Sequence, residues 1–347
     1  MINGPQIAWI NITERCNNRC LYCYAKDSLH DRNKIISLKE IKKLINKLVL
    51  IKTNRCILIG GEPTLHPDII EIFKYGLSKG IIMSIVSNGT RFADEKFCQL
   101  FIDSGLNKGS VTISMHASSS SDSFEITKSG VYFSLFTKGV KNLVKSNLQP
   151  GINITISQAN KNKIKIMMNW LKLNKINEVH FNLGGPAVSL NSIDTTYILS
   201  FEELSKIVED IYIYGKEIKI KTQFLFLAPL CILPKKLFTA LKIENLLDTG
   251  CSIRTGSGII FNINRDVVTC NHLLDFPIIN KNIFNYVNNK SRLIKIWNLP
   301  KLENIRKSIM VYRLKECKNC KEFDLCQGGG CPLFWLNKKI NINFYKW

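Results

Sequence analysis

Twelve cysteines in 347 residues set the chemical question this sequence poses. Three of them, Cys16, Cys20 and Cys23, fall in one short run, Cys-Asn-Asn-Arg-Cys-Leu-Tyr-Cys. Four thiolates normally hold the iron of an iron–sulfur cluster, so three close-set thiolates leave one iron without a protein ligand. By the logic of open catalytic metal sites, that vacancy is where a substrate binds. Backbone N–H groups of the Asn17–Asn18 loop can bond cluster sulfurs and tune the potential. A zinc knuckle is the competing reading. It wants a fourth ligand close by, which His30 offers only at poor spacing. A second set comprises Cys251, Cys270, Cys317, Cys320, Cys326 and Cys331, the last four spaced Cys-x2-Cys-x5-Cys-x4-Cys. Cys56, Cys98 and Cys231 stand apart, and Cys56 and Cys98 read as small core hydrophobes.

The elements that must position these thiols follow from hydrophobic periodicity. Short Ile- and Val-rich runs predict strands over Ile7–Ile12, Cys56–Ile59, Ile81–Val86, Ser110–Met115, Gly151–Ser157 and Glu178–Asn182. Amphipathic stretches between them predict helices over Ser37–Leu50, Asp68–Lys79, Asp94–Ser104, Phe133–Asn147, Lys163–Asn174 and Ser200–Tyr214. Two of these open on a Ser-x-x-Glu capping pattern, Ser37 with Glu40 and Ser200 with Glu203. Regular βα alternation implies a parallel sheet. Both a doubly wound sheet and a partial (β/α)6 barrel satisfy it, and we expect the barrel. In either, the reactive site lies at the C-terminal strand ends, where Cys16, Gly60–Pro63, Ser87–Gly89 and Met115–Ser118 fall. Near Gly250 the rhythm breaks into a hairpin, Gly258–Asn262 with Val267–Cys270, then a helix over Leu293–Tyr312. The Cys-rich end buries little apolar surface, so metal is expected to hold it together. The expected division is a barrel over residues 1–225 and a small Cys-rich domain over 226–347.

Composition excludes several classes. Apolar residues make up 45%, enough for a sizeable core. The start lacks a basic region followed by an apolar run, so no secretory signal is expected. The apolar run Phe224–Pro234 is too short to span a bilayer and reads as buried. A cytoplasmic protein with no membrane partner is expected, and there clustered cysteines bind metal or do chemistry rather than form disulfides. The net charge is +21. It suits nucleic acid, an acidic substrate, or a merely Lys-rich composition. No dense basic block and no Lys/Arg run interleaved with aromatics is present, so nucleic acid is not the expected partner.

The Cys16-x3-Cys20-x-Tyr22-Cys23 run just after the first strand resembles the signature of the radical S-adenosylmethionine (SAM) superfamily. Three further segments match that family in order: Gly60-Gly61-Glu62-Pro63, Ser87-Asn88-Gly89, and Ser114-Met115-His116-Ala117. The resemblance covers roughly residues 6–182. It implies a [4Fe–4S] cluster on Cys16, Cys20 and Cys23 whose open iron chelates SAM. An electron then cleaves SAM to methionine and a 5′-deoxyadenosyl radical, which abstracts hydrogen from substrate. It also implies that Tyr22 packs near the adenine, that Gly60, Gly61, Glu62 and Pro63 receive the SAM ammonium, and that Ser87, Asn88 and Ser114 border the cofactor; Asn182, with Gly184-Gly185-Pro186 at the end of the sixth strand, either borders the SAM adenosine or turns the chain. An electron donor such as flavodoxin or ferredoxin is implied too.

The second cysteine set resembles the SPASM extension of that superfamily, as do Asp266-Val-Val-Thr-Cys270 and Ile296-Trp297. The extension implies one or two auxiliary iron–sulfur clusters: Cys317, Cys320 and Cys326 on one, Cys251, Cys270 and Cys331 on the other. This chain departs from the pattern. The usual last cysteine is absent, and the customary hairpin glycine is replaced near Arg265. Six cysteines fall short of the eight that two four-iron clusters take. Cys231 could join one, a non-cysteine ligand, water or substrate could complete one, or the end could hold a single cluster or a zinc ribbon.

Enzymes with this extension often modify ribosomally made peptides, by crosslinking, epimerisation or side-chain oxidation, and that is the expected function. The sulfatase-maturing branch places an acidic base after the hairpin cysteine; Asn271 stands there and cannot take a proton, which disfavours that activity. His116 at a strand end and Cys231 as a thiol hydrogen donor are the candidate catalytic residues. With the first strand starting at Ile7, capture of a precursor peptide is expected to fall to the barrel mouth or a separate leader-binding protein. The alternatives are radical chemistry on a small molecule such as a sugar or cofactor precursor, and a non-catalytic metal-binding protein that binds RNA.

Overall fold

The structure, a computed structural model, describes residues 4–282, 289–309, 314–326 and 329–336. The six expected strands form as β1 (Ile7–Thr13), β2 (Arg55–Gly60), β3 (Ile82–Ser87), β4 (Val111–Ser114), β5 (Gly151–Ile156) and β6 (Glu178–Leu183). The expected helices form as α1 (Leu38–Leu50), α2 (Ile69–Ser78), α3 (Glu95–Asp103), α5 (Tyr132–Lys145), α6 (Ile164–Leu173) and α7 (Phe201–Ile218). The Ser-x-x-Glu signals do their work in part as expected. Ser37 accepts from the Glu40 N–H, and Ser200 and Glu203 form a full capping box, each side chain bonding the other's backbone.

Several elements were not expected. Helix α4 (Ser120–Thr127) is too Ser-rich to show a helical stripe, yet a Ser119–Asp122 capping box starts it. The apolar run at Phe224 splits into strand β9 (Lys221–Leu225), a turn at Leu230–Ile232, and helix α8 (Lys235–Ile243). A short strand β10 (Leu247–Asp248) follows. A minor antiparallel pair, β7 (Ala187–Val188) with β8 (Ile193–Asp194), crosses the mouth region. The single helix expected over Leu293–Tyr312 is instead two, Lys290–Trp297 and Pro300–Ile309. Pro300 has no N–H to continue a helix but suits the first turn of a new one, so the break falls just before it; Tyr312 lies outside the described residues.

The sheet order decides between barrel and doubly wound sheet. With β11 (Gly258–Phe261), β12 (Val267–Val268) and β13 (Pro277–Ile279), the strands run β10-β9-β6-β5-β4-β3-β2-β1-β11-β12-β13. From β1 to β9 the order never reverses, and every pair is parallel. A doubly wound sheet requires a reversal. Without one, right-handed crossovers put all helices on one face, and the sheet curls away from them as a partial barrel. At the far side β11 adds in parallel to β1, and β12 and β13 follow antiparallel. Among the described residues no pairing joins β10 to β13. In the turn before β12, Arg265 has φ +70°, the left-handed region where glycine was expected, and its guanidinium is anchored by Glu40.

The two faces of the sheet differ. Ala8, Ile10, Leu58, Ile85, Ile113, Ile152, Ile154, Val179, Phe181 and Phe224 point toward the helices and are almost fully buried. The alternate positions of β4, β5, β6 and β9 are half-buried or exposed. Successive side chains on a strand take opposite faces, so these line the concave interior. Ser114, Asn153, His180 and Gln223 stand in register across those four strands and make a polar row. Parallel strands buried on both faces read as continuous apolar runs; β4, β5, β6 and β9 alternate because their second face is polar and only partly buried. No described helix is long and apolar enough to cross a membrane.

Candidate active site

The Cys16–Cys23 loop leaves the C-terminal end of β1 and is held from three sides. Below it, Gly61 N–H donates to Thr13 O at 2.7 Å and Glu62 N–H to Arg15 O at 2.6 Å. This approach needs glycine. A Cβ on Gly60 would lie 2.3 Å from Thr13 O, and one on Gly61 2.3 Å from Arg15 O. To one side, Arg19 N–H donates to Thr127 O at 2.7 Å and Leu21 N–H to Ile126 O at 3.0 Å, strapping the loop to α4. To the other, Asn17 bonds Thr90 and Asn88 at 2.9 and 2.7 Å. The Ser87-Asn88-Gly89 turn thus reaches the loop directly. Gly89 has φ +81°, and the αL turn is closed by the Asn88 side chain accepting from Thr90 N–H and Oγ1.

Glu62 ties these parts together. It is buried, and its carboxylate accepts from Thr64 N–H at 3.0 Å, Thr64 Oγ1 at 2.5 Å, Ser87 Oγ at 2.8 Å and Asn88 N–H at 2.6 Å. Burial pushes its pKa up, against the downward pull of these bonds. Pro63 opens the short turn Pro63–Leu65, for which Glu62 is the cap. The side chain therefore braces the ends of β2 and β3.

Tyr22 is buried with its hydroxyl 3.0 Å from His116 Nδ1. His116 is fixed in turn through its backbone N–H, which donates to Tyr132 Oη at 2.9 Å, while that hydroxyl donates to Ser114 O at 2.8 Å. Burial holds His116 down to about 4, so the ring is neutral near pH 7. His66, by contrast, is structural: Nε2 lies 2.8 Å from Ile36 O and Nδ1 accepts from Asp68 N–H at 3.1 Å. Ser114 and Asn182 lie on the concave face, in register with Asn153 and Leu225 respectively.

The thiols fall into three groups. Burial pushes Cys16 up to about 12, with Glu62 and Cys23 adding to the rise, and burial raises Cys20 and Cys23 as well. Cys16 and Cys23 both raise Cys20 further, so the three share one site. Cys270, also pushed up to about 12 by burial, feels Cys331 and Cys251. Cys231 is pushed to about 12 by burial, then by Cys326, Cys317 and Cys320. Sequence alone offered Cys231 both as a thiol donor and as a ligand that could join a cluster; its neighbours here are cysteines on a segment nearly ninety positions away, a proximity no local pattern encodes. Tyr24 stands between two groups, its phenol pushed up by burial and then by Cys23 and Cys270. Its ring lies 5.0 Å from that of His272, whose Nδ1 is 2.7 Å from Pro186 O.

The chemistry of the donor set suits an iron–sulfur cluster. Among the described residues no three His, Cys, Asp or Glu side chains converge on one ion position, as zinc with bonds of roughly 2.0–2.3 Å demands. A four-iron cluster takes each thiolate on a different iron, so its ligands surround a volume instead of meeting at a point. Buried polar atoms without partners flank the thiols: both Asn18 amide atoms in the Cys16–Cys20 loop, and Asn271 Oδ1 beside Cys270. Asn153 Oδ1 and Ser84 Oγ are orphaned within the sheet. Such groups are costly unless something polar meets them.

Comparison with known proteins adds the following. Residues 10–171 match the model of the Radical SAM superfamily. A curated relative, the Fe-coproporphyrin III synthase of Methanosarcina barkeri, is 28% identical over 177 residues, covering 51% of this chain and 43% of its own. The chain thus spans about half the length of the curated relatives it matches. The structure of Streptococcus suis SuiB bound to precursor peptide SuiA superposes with a TM-score of 0.70 at 17% identity, over 100% of this chain and 76% of that one. That of anSMEcpe with bound AdoMet and the Cp18Cys peptide gives 0.69 at 16%, over 99% and 93%. At these identities the likeness is one of fold.

Proposed function

We propose that this chain, whose residues 10–171 match the Radical SAM superfamily model, is a radical SAM enzyme that abstracts hydrogen from a ribosomally made peptide. Members of this family bind a [4Fe–4S] cluster and SAM, which together supply the 5′-deoxyadenosyl radical. In our reading Cys16, Cys20 and Cys23 hold that cluster. The observation that carries the reading is the cradle: Gly60 and Gly61 let the β2 end touch the cysteine loop, where no side chain would fit.

The chain's own residues do the rest. Glu62 holds the β2 and β3 ends at fixed separation, so the polar backbone of Gly60–Pro63 would receive the SAM ammonium. Tyr22 would pack near the adenine, and His116 is a positioning residue that fixes the Tyr22 hydroxyl. Ser87, Asn88, Ser114 and Asn182 border the cofactor. The row Ser114, Asn153, His180 and Gln223 orients substrate within the concave face. Cys251, Cys270, Cys317, Cys320, Cys326 and Cys331 bind auxiliary iron–sulfur clusters in a domain beginning near residue 226. The charge of +21 favours an acidic electron donor of the flavodoxin or ferredoxin class. A reducing cytoplasm suits thiolates kept for metal.

A peptide is favoured because the fold extends over nearly the whole chain to two proteins whose structures hold peptides. A small-molecule substrate is the second reading, favoured by the name of the curated relative. The test is anaerobic incubation of the reconstituted protein, SAM and reductant with precursor peptides encoded beside its gene, and separately with iron coproporphyrin. A SAM-dependent mass change in a peptide supports the proposal. Unaltered peptides with conversion of the porphyrin support the second reading.

A further inference from the structure

We infer that Cys231 is the fourth thiolate of the auxiliary site formed by Cys317, Cys320 and Cys326. The inference rests on the auxiliary-cluster reading above and assigns a ligand that reading lacks. Cys231 sits in the turn Leu230–Ile232 after β9, flanked by two buried side chains. Its neighbour Leu230 donates its N–H to Cys326 Sγ at 3.4 Å. Cys331 N–H donates to Leu227 O at 2.7 Å. Gly330, at φ +80°, approaches so closely that a Cβ there would lie 2.5 Å from Leu227 O. Lys242 of α8 pairs with Glu322 at 2.7 Å. The turn after β9 is therefore fastened to the Cys-rich segment at residues 322, 326, 330 and 331. Cys231 is within electrostatic reach of Cys326, Cys317 and Cys320, whereas Cys251 and Cys331 lie within reach of Cys270.

Four thiolates complete a four-iron cluster, and they need be near only in space. A ligand from the barrel side thus does what a cysteine after Cys331 would otherwise do. Two consequences follow. A thiolate on iron carries no S–H, so Cys231 is not the hydrogen donor to a substrate radical. The other group keeps three thiolates, Cys251, Cys270 and Cys331, and would leave one iron of a four-iron cluster without a cysteine ligand; Asn271 Oδ1, next to Cys270 in sequence, is buried without a partner.

The test uses the full chain with Cys16, Cys20 and Cys23 all changed to Ala, so that only auxiliary sites load. Into it go Cys231→Ala, Cys231→Ser and Cys326→Ala, with folding checked by circular dichroism. Iron and sulfide content and electron paramagnetic resonance are the readouts. We expect Cys231→Ala and Cys326→Ala each to lose about one iron of the four-iron unit and to gain a three-iron signal. Cys231→Ser should keep its iron with a shifted spectrum. In the otherwise unaltered holoprotein, Cys231 should resist iodoacetamide until iron is chelated, as Cys317 and Cys320 should; this labelling carries the test if Cys231→Ala does not fold. Loss of iron in Cys326→Ala with unchanged iron and spectrum in Cys231→Ala overturns the inference. Unchanged iron in both folded variants overturns the auxiliary-cluster reading itself.

Discussion

Replacing Gly61 by Ala tests whether backbone contact between the β2 end and the cysteine loop sets the site. The added Cβ would lie 2.3 Å from Arg15 O, 2.7 Å from Arg15 C and 2.7 Å from Glu14 O. Ordinary contact begins at 3.4 Å, so the Arg15 carbonyl must retreat by about 1 Å. Gly61 is not among the positive-φ glycines, so alanine is acceptable to its backbone and the effect is purely steric. Overpacking of this kind costs about 1–3 kcal/mol. The same carbonyl accepts the Glu62 N–H at 2.6 Å, a bond that the shift stretches. Cys16 follows Arg15 directly, so its thiol moves with the carbonyl. A misplacement of about 1 Å can cost on the order of 10²-fold in rate. The assay is 5′-deoxyadenosine formation per bound iron in anaerobically reconstituted protein, beside a urea melt. We expect a folded variant with its midpoint lowered and its rate down about a hundredfold. A rate within about twofold of the parent would refute the reasoning, because the loop would then not depend on this contact.

Glu62→Gln should destabilise through the same junction. An amide N–H₂ replaces one carboxylate oxygen and faces donors, so each group left unsatisfied costs about 1–3 kcal/mol; urea unfolding reads it, and an unchanged midpoint would contradict the bracing role. Acid should weaken the packing of α7 through Glu203. Burial pushes that carboxyl up, but the Lys161 ammonium and the Ser200 bonds bring it to about 2, from an ordinary 4.5. A depressed pKa stabilises the fold above 4.5 and loses that contribution as pH falls toward 2, so the parent should lose more stability across this window than Glu203→Gln, by thermal melts at stepped pH. His116, held at about 4 by burial, should show no titration by NMR over roughly pH 5–8, the range in which an unperturbed imidazole charges; a midpoint near 6.5 would show that the ring is not buried against Tyr22.

Much of this fold was legible because each of β1 to β6 is a short β-branched run followed by a stripe of helical period. What escaped has physical causes. Helix α4 carries Ser at most of its first turn, residues with weak helical propensity, and only its Ser119–Asp122 cap marks it. The apolar run from Phe224 has no periodicity of its own, so its division into strand, turn and helix depends on the sheet edge that β9 joins. The order of strands chose the partial barrel over the doubly wound sheet, and alternation alone leaves both open. The N-terminal thiols were legible because their ligand spacing is local. The neighbours of Cys231 were not, because they are brought together by the chain's return across the barrel.

The central claim is tested most directly by 5′-deoxyadenosine release from protein reconstituted anaerobically with iron and sulfide, then given SAM and a strong reductant. The control is the variant with Cys16, Cys20 and Cys23 changed to Ala. We predict release by the parent and none by the variant. A parent that carries its full iron, yet neither binds SAM nor releases the nucleoside even with candidate substrates present, would contradict the account.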